Sequence, residues 1–157
     1  GYSFNQLRQM IEGVDAPQRV AVCADTCHAF AAGYALNTEA GYRAMMDEIQ
    51  REIGLDKVKC WHFNDSKGKV GSRLDRHTDI GAGEIGLEGF RFILNDPRWD
   101  GIAMLLETPK EDDLIDDVKN LAQLCALVVD PVRVPLGLIK QADSTINEAA
   151  VIYPDCG

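Results

Sequence analysis

A parallel α/β sheet is the fold class this sequence predicts, wound either as an open layer or as part of a barrel. Three observations predict it. Short apolar runs at residues 20–25, 58–63 and 102–107 recur at intervals of about 40 residues, each the length of a strand. The segments between them carry apolar residues at helical spacing, and alternation of strands and helices is the signature of a parallel sheet. Finally, each run ends in a potential ligand, Asp25, His62 or Glu107, and parallel α/β folds gather ligands at the carboxyl ends of their strands. Only the architecture repeats; there is no residue-level repeat.

The elements follow in order. Ser3-Phe4-Asn5-Gln6 fits a capping box, Phe4, Leu7, Met10 and Ile11 recur at helical spacing, and Gly13 supplies a stop. In the first strand, 20–25, Ala21, Cys23 and Asp25 share one face while Val20, Val22 and Ala24 share the other. Both faces are apolar up to Asp25, which predicts a strand covered on both sides. Residues 28–34 read as a small-residue loop or short turn. Thr38 caps a helix over 39–53 whose stripe is Tyr42, Met45, Met46, Ile49 and Ile53, with Gly54 as terminator. The second strand, 58–63, places Val58, Cys60 and His62 on one face. A long glycine-containing loop spans 64–86, and a short helix spans 87–95 before Asp96-Pro97. The third strand, 102–107, aligns Ala103, Leu105 and Glu107 before Thr108-Pro109. A helix over 112–128 buries Leu114, Ile115, Val118, Leu121, Ala122 and Cys125, with acids in its first turn to suit the helix dipole. Beyond Asp130-Pro131 the periodicity fades, so residues 1–130 form the organised part and 131–157 a tail without a clear pattern.

The chain's 157 residues are enough for one core. Its 46% apolar and 26% charged residues are ordinary for a globular protein. No apolar run approaches a membrane span, and the N-terminus lacks a signal-peptide pattern. The five cysteines are odd in number without CxxC pairs, which suggests a reducing, intracellular setting. A net charge of −9 argues against bulk attraction to nucleic acid. Locally the balance reverses: residues 66–77 hold Lys67, Lys69, Arg73 and Arg76 against Asp75 alone. Beside His62 and His77, such a segment suits an anionic ligand better than a merely solvated loop.

All three histidines lie at a strand end or in an adjoining loop: His28, His62 and His77. Carboxylate and imidazole donors suit Zn²⁺ and other divalent first-row ions without selecting one. Neighbouring strands lie about 4.8 Å apart, so Asp25, His62 and Glu107 can aim at one ion. His28, Asp75 and His77 come from two loops above the same rim and can form a second site. Two close ions can stabilise the attacking and leaving oxygens of a phosphoryl displacement. Singly, each residue has a plainer explanation: Asp25 as a helix or turn cap, His62 as a core histidine, Glu107 as a buried ion-pair carboxylate. Jointly, these do not explain why every histidine falls at the rim.

The segments DTCHAFAAGY (25–34), HFNDSKGKVGSRLDRH (62–77), IGAGEIG (80–86) and LLETP (105–109) resemble endonuclease IV, a family of apurinic/apyrimidinic endonucleases of base-excision DNA repair. The resemblance covers residues 3–128. It implies a partial (β/α)8 TIM barrel of about three C-terminal βα units, and a zinc-dependent deoxyribonuclease that hydrolyses the phosphodiester 5′ to an abasic site in double-stranded DNA. By the same resemblance, Asp25, His62 and Glu107 are metal ligands around the catalytic pair of ions, and His28, Asp75 and His77 hold a third. Lys67, Arg73 and Arg76 are expected to meet the DNA backbone, Arg76 foremost because it sits between two ligands. The family's remaining ligands, two histidines and a bridging glutamate, lie on strands that precede the one bearing Asp25. One zinc site is then complete here and one partial, and the remaining barrel half is needed for full activity. The expected setting is a full-length monomer, in bacterial cytoplasm or in the nucleus or mitochondria of a eukaryote. Two other readings are a xylose isomerase-like sugar isomerase or epimerase, which Asp25, His62 and Glu107 alone would fit, and a non-catalytic metal-binding remnant.

Overall fold

The structure, a computed structural model, describes residues 2–109 and 114–129; the expected tail at 131–157 and the expected helix start at 112 lie outside them. Helix α1, Phe4–Glu12, begins where the Ser3 hydroxyl accepts the Gln6 N–H (3.3 Å). Gln6 returns the bond to the Tyr2 N–H (2.9 Å), one residue earlier than a capping box requires. Strand β1, Val22–Asp25, is shorter than its apolar run because Pro17–Arg19 forms a 3₁₀ turn that takes up the Val20 N–H. Where a loop or short turn is expected, the structure has helix α2, Thr26–Ala32. Asp25 explains this: its Oδ1 accepts the His28 N–H (2.8 Å), making the strand's last residue the cap of the next helix. Helix α3, Glu39–Glu52, starts at the Thr38 cap and buries Tyr42, Met45, Met46 and Ile49. Strand β2 is Val58–Phe63, as the apolar run predicts.

The long loop contains a small ladder in which β3, Asp65–Ser66, pairs antiparallel with β4, His77–Thr78. Helix α4, Gly86–Leu94, strand β5, Ala103–Leu106, and helix α5, Ile115–Leu127, follow. The main sheet is parallel in the order β1-β2-β5, with Asp25 opposite His62 and His62 opposite Leu105. One face carries the core: Val22, Ala24, Trp61 and Phe63 pack with Met45, Met46, Ile49, Phe90 and Ile93 of α3 and α4. Trp61 meets Trp99 edge-on at 5.3 Å, and Phe63 meets Phe90 at 5.5 Å. On the other face Cys23 is exposed and Cys60 half-buried. No strand or helix among the described residues closes over it.

The buried face of α5 also differs from expectation. Ile115 and Ala122 are exposed, and Asn120, Leu121, Leu124 and Leu127 are buried. Asn120 sets this rotation. Its Oδ1 accepts the Ile80 N–H (2.7 Å), while its Nδ2 donates to Asp79, Thr108 and the Asp116 carbonyl. A polar residue thus overrides the apolar stripe by pinning the helix to the loop before α4. No helix among the described residues is long and apolar enough to cross a membrane.

A single buried carboxylate organises that loop. Asp65 is fully buried and accepts backbone N–H groups from Ser66 (2.8 Å), Gly81 (2.9 Å), Gly83 (3.1 Å), Ile85 (3.0 Å) and Gly86 (3.2 Å). A Cβ at Gly83 would stand 2.5 Å from the carboxylate and 2.4 Å from the Ser66 carbonyl; only glycine permits this approach. Asp65→Asn turns one acceptor into a donor facing N–H groups. It is expected to cost about 3 kcal/mol, read as a lowered urea midpoint, with proteolytic cleavage concentrated between residues 66 and 86.

At the opposite end, Trp99 donates to the Tyr42 hydroxyl (2.9 Å), which donates to Asp96 Oδ2 (2.7 Å), and Arg98 Nε sits 2.9 Å from both Asp96 oxygens. Burial alone would raise the Asp96 carboxyl, but the donors on it outweigh that and hold it below its ordinary value of 3.8. A depressed carboxyl stabilises the fold above its unfolded value and loses that contribution as pH falls through the folded one. Denaturation at graded pH should therefore show stability falling below about pH 4, and Asp96→Asn should flatten that acid limb.

Candidate metal centre

The rim is assembled by one asparagine. Asn64, the residue after β2, is fully buried, and all its polar groups are used. Its N–H donates to Thr26 Oγ1 (2.8 Å) and its carbonyl accepts from the same hydroxyl (2.7 Å), so the ends of β1 and β2 are tied reciprocally. Its Nδ2 donates to Asp25 Oδ2 (2.8 Å), and its Oδ1 accepts the Glu107 N–H (3.0 Å) just after β5. The ends of all three strands thus bond to one residue. Asp25 is held at both oxygens, one by the α2 backbone and one by Asn64, so its orientation is set by the fold.

Within this frame the expected ligands converge. His62 Nδ1 lies 2.9 Å from Glu107 Oε2 and 3.8 Å from Asp25 Oδ2. One donor atom from each of Asp25, His62 and Glu107 falls within 4.8 Å of the others. The Asp25 and His62 side chains are mostly buried, at 19% and 28% exposure, whereas Glu107 is 49% exposed. The group is therefore anchored from below and open to solvent on one side.

The second expected group joins it through His77. The β3–β4 ladder turns residues 75–77 back over the sheet, where His77 Nδ1 bonds the Glu107 carbonyl (3.0 Å). His77 Nε2 then lies 4.0 Å from Asp25 Oδ2 and 3.7 Å from Asp75 Oδ1. His28 Nδ1 meets the other Asp75 oxygen at 3.1 Å. Burial pushes the Asp75 carboxyl up, but bonding to His28 and Cys27 and the charge of the two imidazoles leave it below its ordinary value. The tight three-donor group here is Cys27, Asp75 and His77, with His28 attached through Asp75. Sequence reasoning missed Cys27 as a donor, and it missed the positioning residues Thr26 and Asn64. The Asn-Asp after an apolar run was the available signal, since polar side chains in a buried turn must find partners.

The donor chemistry fits a divalent first-row ion. Three carboxylates and three imidazoles lie within one connected cluster, and no lysine or arginine among the described residues pairs with Asp25, Asp75 or Glu107. Clustered carboxylates without a basic partner favour a cation. Around the rim, the loop 67–76 is docked on the end of α2, where Gly71 and Arg73 N–H groups cap the Phe30 and Ala31 carbonyls (2.9 and 3.0 Å). Arg73 adopts a left-handed backbone there (φ 59°). Lys67, Arg73 and Arg76 are exposed, and none forms a salt bridge among the described residues. Beneath the rim on the open face, Cys23 stands opposite Cys60 in the ladder. Burial, then the neighbouring Cys60 thiol, pushes the Cys23 thiol up to about 12.

Known proteins match this chain along most of its length. A family model described as xylose isomerase-like TIM barrel matches residues 1–126. A probable endonuclease 4 of Geobacter sulfurreducens is 51% identical over 128 residues, which is 82% of this chain and 43% of the relative. A probable endonuclease 4 of Chloroflexus aurantiacus is 47% identical over 128 residues, covering 82% of this chain and 45% of the relative. Among solved structures, endonuclease IV from Thermus thermophilus superposes with a TM-score of 0.69 at 37% identity, covering 81% of this chain and 44% of that one. The chain spans less than half the length of these relatives. Its three parallel strands and flanking helices are thus a sector of a (β/α)8 barrel, with the candidate centre at the carboxyl ends of the strands, where such barrels hold their sites. From its architecture, the family match and the resemblance in these segments, the chain belongs to the xylose isomerase-like TIM barrel family, in its endonuclease IV group.

Proposed function

We propose that this chain carries the ligand-rich sector of a zinc-dependent apurinic/apyrimidinic endonuclease acting in base-excision repair, and that it hydrolyses the phosphodiester 5′ to abasic sites in double-stranded DNA. The observation that carries the reading is the joining of six side chains at one rim: Asp25, His62 and Glu107 on the sheet, His28, Asp75 and His77 in the loops above. When bound there, zinc supplies Lewis-acid stabilisation of the charge that develops on a phosphate undergoing hydrolysis. Asp25, His62 and Glu107 would hold one ion in a partial site. Asp75 and His77, with Cys27 or His28, would hold another.

The chain's own residues have distinct tasks in this reading. Asn64 fixes the free edge of the Asp25 carboxylate, so the donors do not reorganise when a cation arrives. His77, against both Asp25 and Asp75, couples the two donor groups. Exposed Lys67, Arg73 and Arg76 meet backbone phosphates, which positions the duplex without reading its sequence. An abasic nucleotide has already lost its stacking, so drawing it to the rim costs little. Residues 1–130 act as the barrel sector in this reading. Efficient incision needs the other part of the barrel, because three strands leave two edges unpaired and the first donor group incomplete. The working enzyme is then a monomer inside the cell. An aldose–ketose isomerase needs only one ion held by Asp25, His62 and Glu107; the additional cluster around Asp75 favours the nuclease.

A chimera tests the proposal: residues 1–126 of this chain replace the matching segment of the Geobacter sulfurreducens relative. Incision of a duplex with one abasic site is expected, abolished by EDTA, with no ketose turnover. His62→Ala and Asp75→Ala should each lower kcat by on the order of 10²-fold or more. Ketose turnover without incision would overturn the assignment. The 157-residue chain alone is expected to incise weakly or not at all. In the chimera, Arg76→Ala should weaken binding to all duplexes alike and reduce the salt dependence of log Kd by about one unit, measured by fluorescence anisotropy.

A further inference from the structure

We propose that Asn120, on the outer helix α5, is a positioning residue of the metal centre: from behind the rim it holds the segment bearing His77 against the segment bearing Glu107. Asn120 is 1% exposed. Asparagine is a poor former of helix interiors, and a buried amide is destabilising unless paired, so its place on α5 is explained by its partners. Its Oδ1 accepts the Ile80 N–H (2.7 Å), and its Nδ2 faces Asp79 Oδ1 (2.9 Å), Thr108 Oγ1 (3.2 Å) and the Asp116 carbonyl (2.9 Å). A carboxylate oxygen only accepts, so the amide cannot turn over without setting its own oxygen against Asp79. Of the four partners, only Asp116 lies on α5. Asp79 and Ile80 come two and three residues after His77, and Thr108 follows Glu107 directly.

The same two segments also meet at the rim, where His77 Nδ1 lies 3.0 Å from the Glu107 carbonyl. A carbonyl only accepts, so Nδ1 carries the proton and Nε2 keeps its lone pair, 3.7 Å from Asp75 Oδ1 and 4.0 Å from Asp25 Oδ2. That tautomer is the one a metal bound through Nε2 requires. One hydrogen bond is a pivot, which fixes a distance but not a direction. Asn120 supplies a second attachment between the same segments, and with both in place the imidazole is held in orientation. Other restraints on the loop act on either side of this point: the β3–β4 ladder ends at Thr78, and Asp65 takes up the chain from Gly81. Residues 79 and 80 are tied to the end of β5 through Asn120 and Thr108. The inference rests on the metal-centre reading and does not involve DNA.

Two readouts on the full 157-residue chain separate positioning from plain stabilisation. Ring ¹⁵N shifts, taken at about pH 8.5 where an ordinary imidazole is neutral, report the tautomer of each of the three histidines, and His77→Gln assigns the signal in question. Visible absorption during titration with Co²⁺ reports metal binding. The parent is expected to hold His77 as the Nδ1–H tautomer and to bind Co²⁺ in a way that His77→Gln abolishes. Asn120→Ala should shift His77 toward the Nε2–H tautomer and weaken Co²⁺ binding by about tenfold or more. Thr108→Val should move both readouts in the same direction, and Thr108→Ser should match the parent. Leu124→Ala, a change in the buried face of the same helix, should lower the urea midpoint and leave both readouts where they are. A parent-like tautomer and affinity in Asn120→Ala or in Thr108→Val overturns the inference, as does a Leu124→Ala variant that moves both readouts as far. If Asn120→Ala does not fold, Thr108→Val against Thr108→Ser decides. A parent that binds no Co²⁺ overturns the metal-centre reading, while the tautomer, which needs no metal, still decides the role of Asn120.

Discussion

The structure depends on four hydrogen bonds made by one buried residue. Asn64 is bonded through its backbone to Thr26 and through its amide to Asp25 and to the Glu107 backbone. A buried amide with every donor and acceptor satisfied costs little, whereas the same amide unpaired would cost several kcal/mol. The arrangement is therefore cooperative: the ends of the three strands take their places together. The geometry of the rim is the geometry of the sheet: the Asp25 carboxylate is held at both oxygens, and the Glu107 backbone is fixed by the same Asn64 amide.

A different device positions the donors that come from outside the sheet. Asp65, the next residue, turns into the interior and gathers five backbone N–H groups from its own loop. Ser66 then pairs with His77, and Arg76 is fixed by the Lys67 N–H. Asn64 and Asp65 thus divide the work between neighbours: one closes the rim, the other suspends the loop that brings Asp75 and His77 over it. Lys67, Arg73 and Arg76 on this loop remain free of ion pairs among the described residues, which leaves their charge available to a ligand. Capping of α2 by Gly71 and Arg73 adds a third attachment, so the positive segment is held in place despite its exposure.

The two faces of the sheet obey different rules. Trp61, Phe63 and their neighbours pack under α3 and α4, the ordinary outer layer of a barrel wall. The opposite face carries Cys23 and Cys60 beneath Asp25 and His62, and nothing among the described residues covers it. In a closed barrel that face is interior, filled by layers of side chains. Small, polarizable thiols suit such a layer.

The sequence by itself determined the parallel α/β class, strand β2, the caps at Ser3 and Thr38, and the residues Asp25, His62 and Glu107 as a converging set. These follow from local causes: periodicity, capping chemistry, and ligands placed at strand ends. It also located His28, Asp75 and His77, because imidazoles are scarce and their placement was uneven. Tertiary structure decided the rest. Helix α2 replaced an expected loop because Asp25 is at once strand end and cap, and α5 turned its polar Asn120 inward because partners for it lie on other elements. Cys27 rather than His28 completes the tight group with Asp75 and His77. The Asp25 cap spans only three residues, but the other two outcomes depend on contacts across some 40 residues or more of chain, between Asn120 and Ile80 and between Cys27 and Asp75. No local pattern encodes such contacts, since their energy arises only when distant segments are brought together.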